Sequence, residues 1–447
     1  MAQNQDETLQ NRILLSRLLT RCGDQAWDFA VPVTLIMLFP SQLPLVAFLY
    51  LIAKLGAFVF QPWLAGVIDQ WKRLNTAALA TTLQLVSVLC VAFCIFQLAE
   101  KTDTSAALWT QPALWPLLAG ISLGSIASAL GAGLMDISVG SDWIPTAVPA
   151  HQLSRFNSRL QRLDLLTEVL APVIAGTILA AGNEGNRLTG FAVIVVWNAV
   201  SFIPELLILR NVFHSSNRLQ LLKTESSTAA RSSLLSQITA GWSEFARQPA
   251  APAMVAYAFL WLSALSPHGV LLTGFLKGGW NMSETTLGVF RGLGAIFGLL
   301  ATVIFPRVRR QFGLITATRF FIVFQALILL LSLPFFYTEA LGGWLFLLTI
   351  LLSRIGLYGF SLGETEIRQT SLPEGVRGKV NGVANALTSL ATLLLFASGS
   401  ALAGVNQFAF MVIISAGAVL TGALIFVRWS LQPARSATAD IATKDSN

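Results

Sequence analysis

"DWIPTAVPAHQLSRFN", Asp142 to Asn157, and "EIRQTSLPEGVRGKVN", Glu366 to Asn381, line up at a constant offset. An acid opens each stretch, and a threonine, a basic residue and an asparagine recur in step. A second echo pairs "DQWKR", Asp69 to Arg73, with "PRVRR", Pro306 to Arg310, and at that offset Lys54 falls on Arg291. Polar junctions that return in the same order predict a chain built as two repeats.

Between these junctions the chain is apolar. Of its 447 residues 54% are hydrophobic and 11% charged, with mean hydropathy +0.67. An ordinary soluble domain carries about a quarter charged residues, so the composition predicts an integral membrane protein. A window of about 19 residues places apolar spans near 13–38, 43–69, 74–98, 110–135, 156–182 and 188–210. A second set falls near 250–276, 284–306, 313–335, 341–366, 378–403 and 406–430. The expected fold is all-α, with 12 transmembrane helices in two pseudo-symmetric six-helix halves, 13–210 and 250–430. Residues 1–12 and 431–447 read as tails, and the polar stretch 211–249 as a linker between the halves.

Charge sets the orientation. Lys72, Arg73, Arg155, Arg218, Lys223 and Arg231 precede Arg307, Arg309, Arg310, Arg368, Arg377 and Lys379 on one side. The opposite loops offer little beyond Lys101, Arg187 and Lys277. The positive-inside rule then predicts cytoplasmic termini and a cytoplasmic linker. The polar, mixed-charge opening "MAQNQDETLQNR" predicts no cleavable signal peptide. Together with the short loops it points to a bacterial inner membrane. The net charge of +7 is spread over loops with no basic, aromatic-interleaved stripe, so nucleic acid is not an expected partner. Cys22, Cys90 and Cys94 all sit in apolar segments and imply no disulfide framework. Nor does a polar segment carry a Ser/His/Asp set, HExxH or phosphate cradle, so an enzyme is not expected and no cofactor is implied.

An ionisable group inside a span costs about 2.5–3.5 kcal/mol on insertion scales and marks function by default. In "TRCGDQAWDFA", Thr20 to Ala30, Asp24 and Asp28 lie one helical turn apart on one face. Two readings fit that spacing: a divalent cation between the carboxylates, or ion pairs with Arg17, Arg21 or Lys54. In span six "WNAVSFIPE" sets Asn198 and Ser201 on one face, before Pro204 and Glu205. Proline there predicts a freed carbonyl and a broken helix. In span seven Pro267, His268 and Gly269 are consecutive and read as a helix break, with an imidazole at it.

The repeat layout resembles the major facilitator superfamily, and "GVIDQWKR", Gly66 to Arg73, resembles its loop signature between spans two and three. There an acid caps one span while an arginine reaches across to another, latching the cytoplasmic side. Within that superfamily, "GDQAWDFAV", "DWI" at Asp142 and "NSRLQRLDLLTEVLAP" from Asn157 resemble the ferroportin family of iron exporters. So do "WNAVS", "SRIGLYGF" and "RGKVNGVAN", and the similarity runs from about residue 16 to 430.

The resemblance implies a monomeric exporter of Fe²⁺, with Co²⁺, Mn²⁺, Ni²⁺ and Zn²⁺ as related cargo, working by alternating access in the lipid bilayer. Metal binding displaces protons from its ligands, so antiport with protons is expected. The family's amino-terminal metal site matches Asp24 with help from Asn198 and Ser201, and Thr20 and Asp28 stand beside it on the same helix. Its cytoplasmic gate matches Asp69, Arg73, Asp142, Asn157, Arg162 and Asp164. Vertebrate members carry histidine at Asp28 and build a second metal site from a cysteine and a histidine, for which His268 is the nearby candidate here. A facilitator-type proton antiporter of organic cations or drugs is the other reading of the acidic pair.

Overall fold

The structure is a computed structural model that describes residues 2–38, 43–101, 111–182, 188–221, 234–267, 269–337, 341–402 and 407–432. Among these no strand occurs. The long helices are α1 (Ala2–Leu38), α2 (Leu43–Gln70), α3 (Arg73–Lys101), α4 (Trp115–Ile137), α5 (Ala150–Gly182) and α6 (Thr189–Ser215). After them come α7 (Leu234–Arg247), α8 (Ala251–Leu260), α9 (Val270–Gly278), α10 (Glu284–Phe312), α11 (Leu314–Phe336), α12 (Leu341–Ser371), α13 (Arg377–Ala401) and α14 (Phe408–Ser430). With no water in a bilayer core, the chain must satisfy each N–H and C=O within itself, and helices do so locally.

Ten helical stretches among the described residues are long and apolar enough to cross a membrane. They fall on the expected spans two to six and eight to twelve. The other two expected spans have a different make. In α1 the apolar run is interrupted by Arg17, Arg21, Asp24 and Asp28, and the helix begins at Ala2, well before the expected 13. Its first turns hold good helix formers and no glycine or proline, and Gln10 and Ile13 are buried.

The seventh expected span is two pieces, α8 and α9, with residues 261–267 and 269 non-helical between them. Such backbone is tolerated at depth only where protein groups satisfy it. Ser415 Oγ accepts from the Ala264 N–H at 2.8 Å, and Arg354 Nη2 donates to the Leu265 carbonyl at 2.8 Å. His268 lies outside the described residues. Pro204, by contrast, does not break its helix: α6 runs through it without interruption. Residues 211–215 extend α6, and 234–247 form a helix of their own inside the polar stretch 211–249.

The chain packs as two compact units. The first is built from residues up to Ala147, from Leu166–Trp242 and from Glu374–Ala386; the second from Val148–Leu165, Ser243–Pro373 and Leu387 onward. In the first unit α1 lies along α6. Trp27 stacks on Phe191 with ring centroids 5.8 Å apart, and Phe96 meets Phe191 at 5.7 Å. Ala26, Ala30, Leu35, Ile95 and Ile194 complete this buried cluster. That contact fixes the rotation of α1, and with it the direction of Thr20 and Asp24.

Candidate functional site

Gly23 lets α6 approach α1. A Cβ there would stand 3.0 Å from Ser201 Oγ and 3.3 Å from Asn198 Oδ1. Across this contact Asn198 Nδ2 donates to the Gly23 carbonyl at 3.0 Å, and Ser201 Oγ donates to the Asn198 carbonyl at 2.7 Å. One turn along α6, Glu205 Oε1 accepts from the Thr20 hydroxyl at 2.5 Å. From α3, Gln84 Nε2 reaches Asp24 Oδ1 at 3.4 Å. Thr20, Asp24, Asn198 and Ser201 therefore come together in the first unit, as the sequence predicts. Gln84 and Glu205 join them. Asp28 lies one turn beyond Asp24, exposed, in the electrostatic neighbourhood of Lys54 and Arg21.

Three oxygens of this group are unusual. Asn198 Oδ1, Gln84 Oε1 and Glu205 Oε2 are buried with no hydrogen-bond partner. Buried acceptors are satisfied in the great majority of cases, and an orphan calls for an ion, a water or a strain account. All three are hard oxygen donors on residues that contact the Thr20–Asp24 turn of α1, which is the chemistry of a divalent-cation site. Among the described residues no set of three or more His, Cys, Asp or Glu gathers as a metal cluster. The donors here mix carboxylate, amide and hydroxyl. Arg21 lies in the electrostatic neighbourhood of Asp24, while the direct ion pairs of Arg17 and Arg21 go elsewhere. They close on Asp136 of α4, with Arg17 Nη2 2.6 Å and Arg21 Nη2 3.2 Å from its two oxygens.

A second polar centre in the first unit contains Asp69, Arg73 and Asp142. The chain between α4 and α5 opens with a π-helical turn, Ser138–Trp143. The wider turn places Asp142 against Arg73, and π-turns of this kind collect at functional sites. Arg73 Nε lies 3.1 Å from Asp142 Oδ2, and its guanidinium also meets the Glu374 carboxylate. The Leu219 and Leu221 carbonyls accept from Arg73 Nη1 at 3.3 and 3.2 Å. Asp69 accepts from the N–H groups of Gly378 at 2.7 Å and Lys379 at 2.9 Å, capping the first turn of α13.

Only glycine fits at 378, because an added Cβ would overlap the Ala65 carbonyl oxygen. Gly378→Val should therefore lose both the cap and the close approach, costing about 2–4 kcal/mol. Asp69→Ala should lose about 1 kcal/mol. Thermal unfolding in detergent checks the order of the two.

The remaining expected gate residues lie in the second unit. Asn157 Nδ2 donates to Gln369 Oε1 at 2.7 Å, and Arg162 Nε to Thr302 Oγ1 at 2.8 Å. Asp164 is half-buried two residues further along α5. Asp69, Arg73 and Asp142 thus belong to the first unit, and Asn157, Arg162 and Asp164 to the second. In that unit Glu366 pairs with Arg309 at 2.6 Å, as Asp142 pairs with Arg73 in the first.

The family model Ferroportin1 (FPN1) matches residues 7–419. The ferreportin of Bdellovibrio bacteriovorus is 40% identical over 428 residues, 94% of this chain and 94% of its own. A bacterial homologue of the iron transporter ferroportin, crystallised in an outward-facing state, superposes with a TM-score of 0.85. Its identity is 39%, over 95% of this chain and 100% of that one. The proton:xylose symporter XylE, of the major facilitator superfamily, is 17% identical and has a TM-score of 0.69 over 95% of this chain and 96% of its own. That likeness shows the fold alone.

Proposed function

The chain belongs to the ferroportin family of multi-pass membrane transporters, and we propose that it exports ferrous iron and related divalent transition-metal ions. One observation carries this reading: three buried acceptor oxygens without partners sit on residues that contact the Thr20–Asp24 turn of α1. Asp24 supplies charge, while Gln84, Asn198 and Glu205 supply neutral or carboxylate oxygen. The Gly23 carbonyl holds the Asn198 amide and Thr20 holds Glu205, with Ser201 beside them on α6. Asp28, one turn further on, draws cations toward the site. His268 stands as a candidate for a second site.

Transport proceeds by alternating access between two six-helix halves, 13–210 and 250–430, joined through 211–249. Reading α1 and the α8–α9 pair as spans completes twelve. Asp69, Arg73, Asp142, Asn157, Arg162 and Asp164 form the cytoplasmic gate that must open in each cycle. The transporter acts as a monomer in a bacterial inner membrane, with both termini cytoplasmic. It needs no cofactor and no nucleic acid partner. Protons compete with metal for the carboxylates, so export is coupled to proton movement in the opposite direction.

Proteoliposomes loaded with a metal-sensitive dye test this. Wild-type protein is expected to carry Co²⁺ and Fe²⁺, and to carry them about threefold or more slowly at about pH 6 than at about pH 7.5, since protonated ligands release metal. Flux of organic cations without metal flux would instead support the drug antiporter.

A further inference from the structure

Three cations stand near the acids of the first unit: Arg17, Arg21 and Lys54. Fixed positive charge repels a divalent cargo, so a cation site gains nothing from it while loading. Arg17 and Arg21 both close on the single carboxylate of Asp136, one on each oxygen. Either alone would neutralise it, so Asp136 can spare one. Arg17 is 6% exposed, and its Nη1 is buried with no hydrogen-bond partner. Glu205 is 1% exposed, and its Oε2 is likewise buried and unpartnered. Thr20 links the two: it follows Arg17 by one turn on α1 and holds Glu205 Oε1 at 2.5 Å. A guanidinium N–H and a carboxylate oxygen left idle in one buried neighbourhood are a charge-assisted pair not yet made.

We propose that Arg17 is a tethered counter-cation of the metal site: it rests on Asp136 while metal is bound, and turns one arm of its fork onto Glu205 as metal leaves. The proposal rests on the reading of this site as a divalent-metal site. A guanidinium suits the task because its donors are arranged as a fork and it keeps its charge throughout. Arg21 holds Asp136 when Arg17 turns away. Metal and Arg17 thus compete for one carboxylate, which keeps binding weak enough for release. A transported ion must be held firmly enough to enter and loosely enough to depart.

Calorimetric Co²⁺ binding to the purified full chain, with proteoliposome flux alongside, tests the assignment. Arg17→Gln is expected to bind Co²⁺ about tenfold more tightly and to turn over more slowly at saturating metal, since one repelling charge has gone. Arg17→Lys, which keeps the charge, should stay within about threefold of the wild-type affinity. Asp136→Asn frees Arg17 to remain on Glu205 and should weaken Co²⁺ binding about tenfold. In a Glu205→Gln background Arg17→Gln should change affinity by less than about twofold.

Unchanged or weaker binding in Arg17→Gln overturns the proposal. If that variant does not fold, unchanged or tighter binding in Asp136→Asn overturns it. Asp24→Ala separates the two layers. Binding that survives it removes the metal-site reading itself, whereas binding lost there with no gain in Arg17→Gln removes only the role of Arg17.

Discussion

Asp24→Ala is expected to abolish measurable Co²⁺ binding and flux, a loss of about hundredfold or more. Outer partners of a metal site cost ten- to hundredfold when removed, and Asp24 is the acid that Gln84 contacts, next along α1 to the Gly23 carbonyl that Asn198 meets. Neutral amide and hydroxyl oxygens do not by themselves offset the dehydration of a divalent ion. The alanine would leave Gln84 without its contact at 3.4 Å and remove charge at the same time. Asp24→Asn separates these effects. It keeps an oxygen and a similar shape, so an affinity between wild type and alanine identifies charge as the larger part. Equal metal flux in wild type and Asp24→Ala proteoliposomes would falsify the site.

Asp28 should behave differently. It is exposed and lies near Lys54 and Arg21, outside the group of orphaned oxygens. Asp28→Asn is expected to lower affinity by about tenfold or less, the loss of one nearby attractive charge at high effective dielectric. A loss as large as that of Asp24→Ala would make Asp28 a ligand. The paired aspartates of the sequence thus divide into one residue in contact with the site and one at its approach.

Ten spans were legible in the sequence because a span must be apolar along its length, and hydropathy reports that directly. The face of α1 was legible too, since Thr20 and Asp24 share a side by helical geometry. Gln84 was not. Gln61 and Gln325 also sit buried inside spans with unpartnered amide atoms, and only the packing of α3 beside α1 gives Gln84 an aspartate. Glu205 stood in the quoted motif, but its role depends on a contact across 185 residues with Thr20. The direct partner of the arginines of α1 was equally hidden. Both pair directly with Asp136, on another helix of the same unit. Pattern within one helix names the residues, and packing between helices decides which of them meet.

Asp142→Ala is expected to be among the most destabilising single changes in the chain, by about 3–5 kcal/mol, because it strands a buried charge. Arg73 is 2% exposed and Asp142 is 0% exposed, so neither can turn to water. Without Asp142, Arg73 keeps Glu374, whose side chain is 42% exposed, and two carbonyls at 3.2 and 3.3 Å. Those partners do not restore a buried pair. Arg73→Ala strands the other member: the nearest remaining cation to Asp142 is Arg377, at 4.0 Å. Removing both charges together leaves neither stranded. The double variant should therefore lose less than the sum of the single variants, with a coupling of about 1.5–3 kcal/mol in thermal unfolding. Additive losses would mean that each residue acts through its other contacts and that the pair is no latch. Transport gives the second measurement. A latch that only stabilises the fold predicts wild-type flux per folded molecule in Asp142→Asn. A latch that gates predicts reduced flux at unchanged Co²⁺ affinity, since the proposed metal ligands lie elsewhere, on α1, α3 and α6.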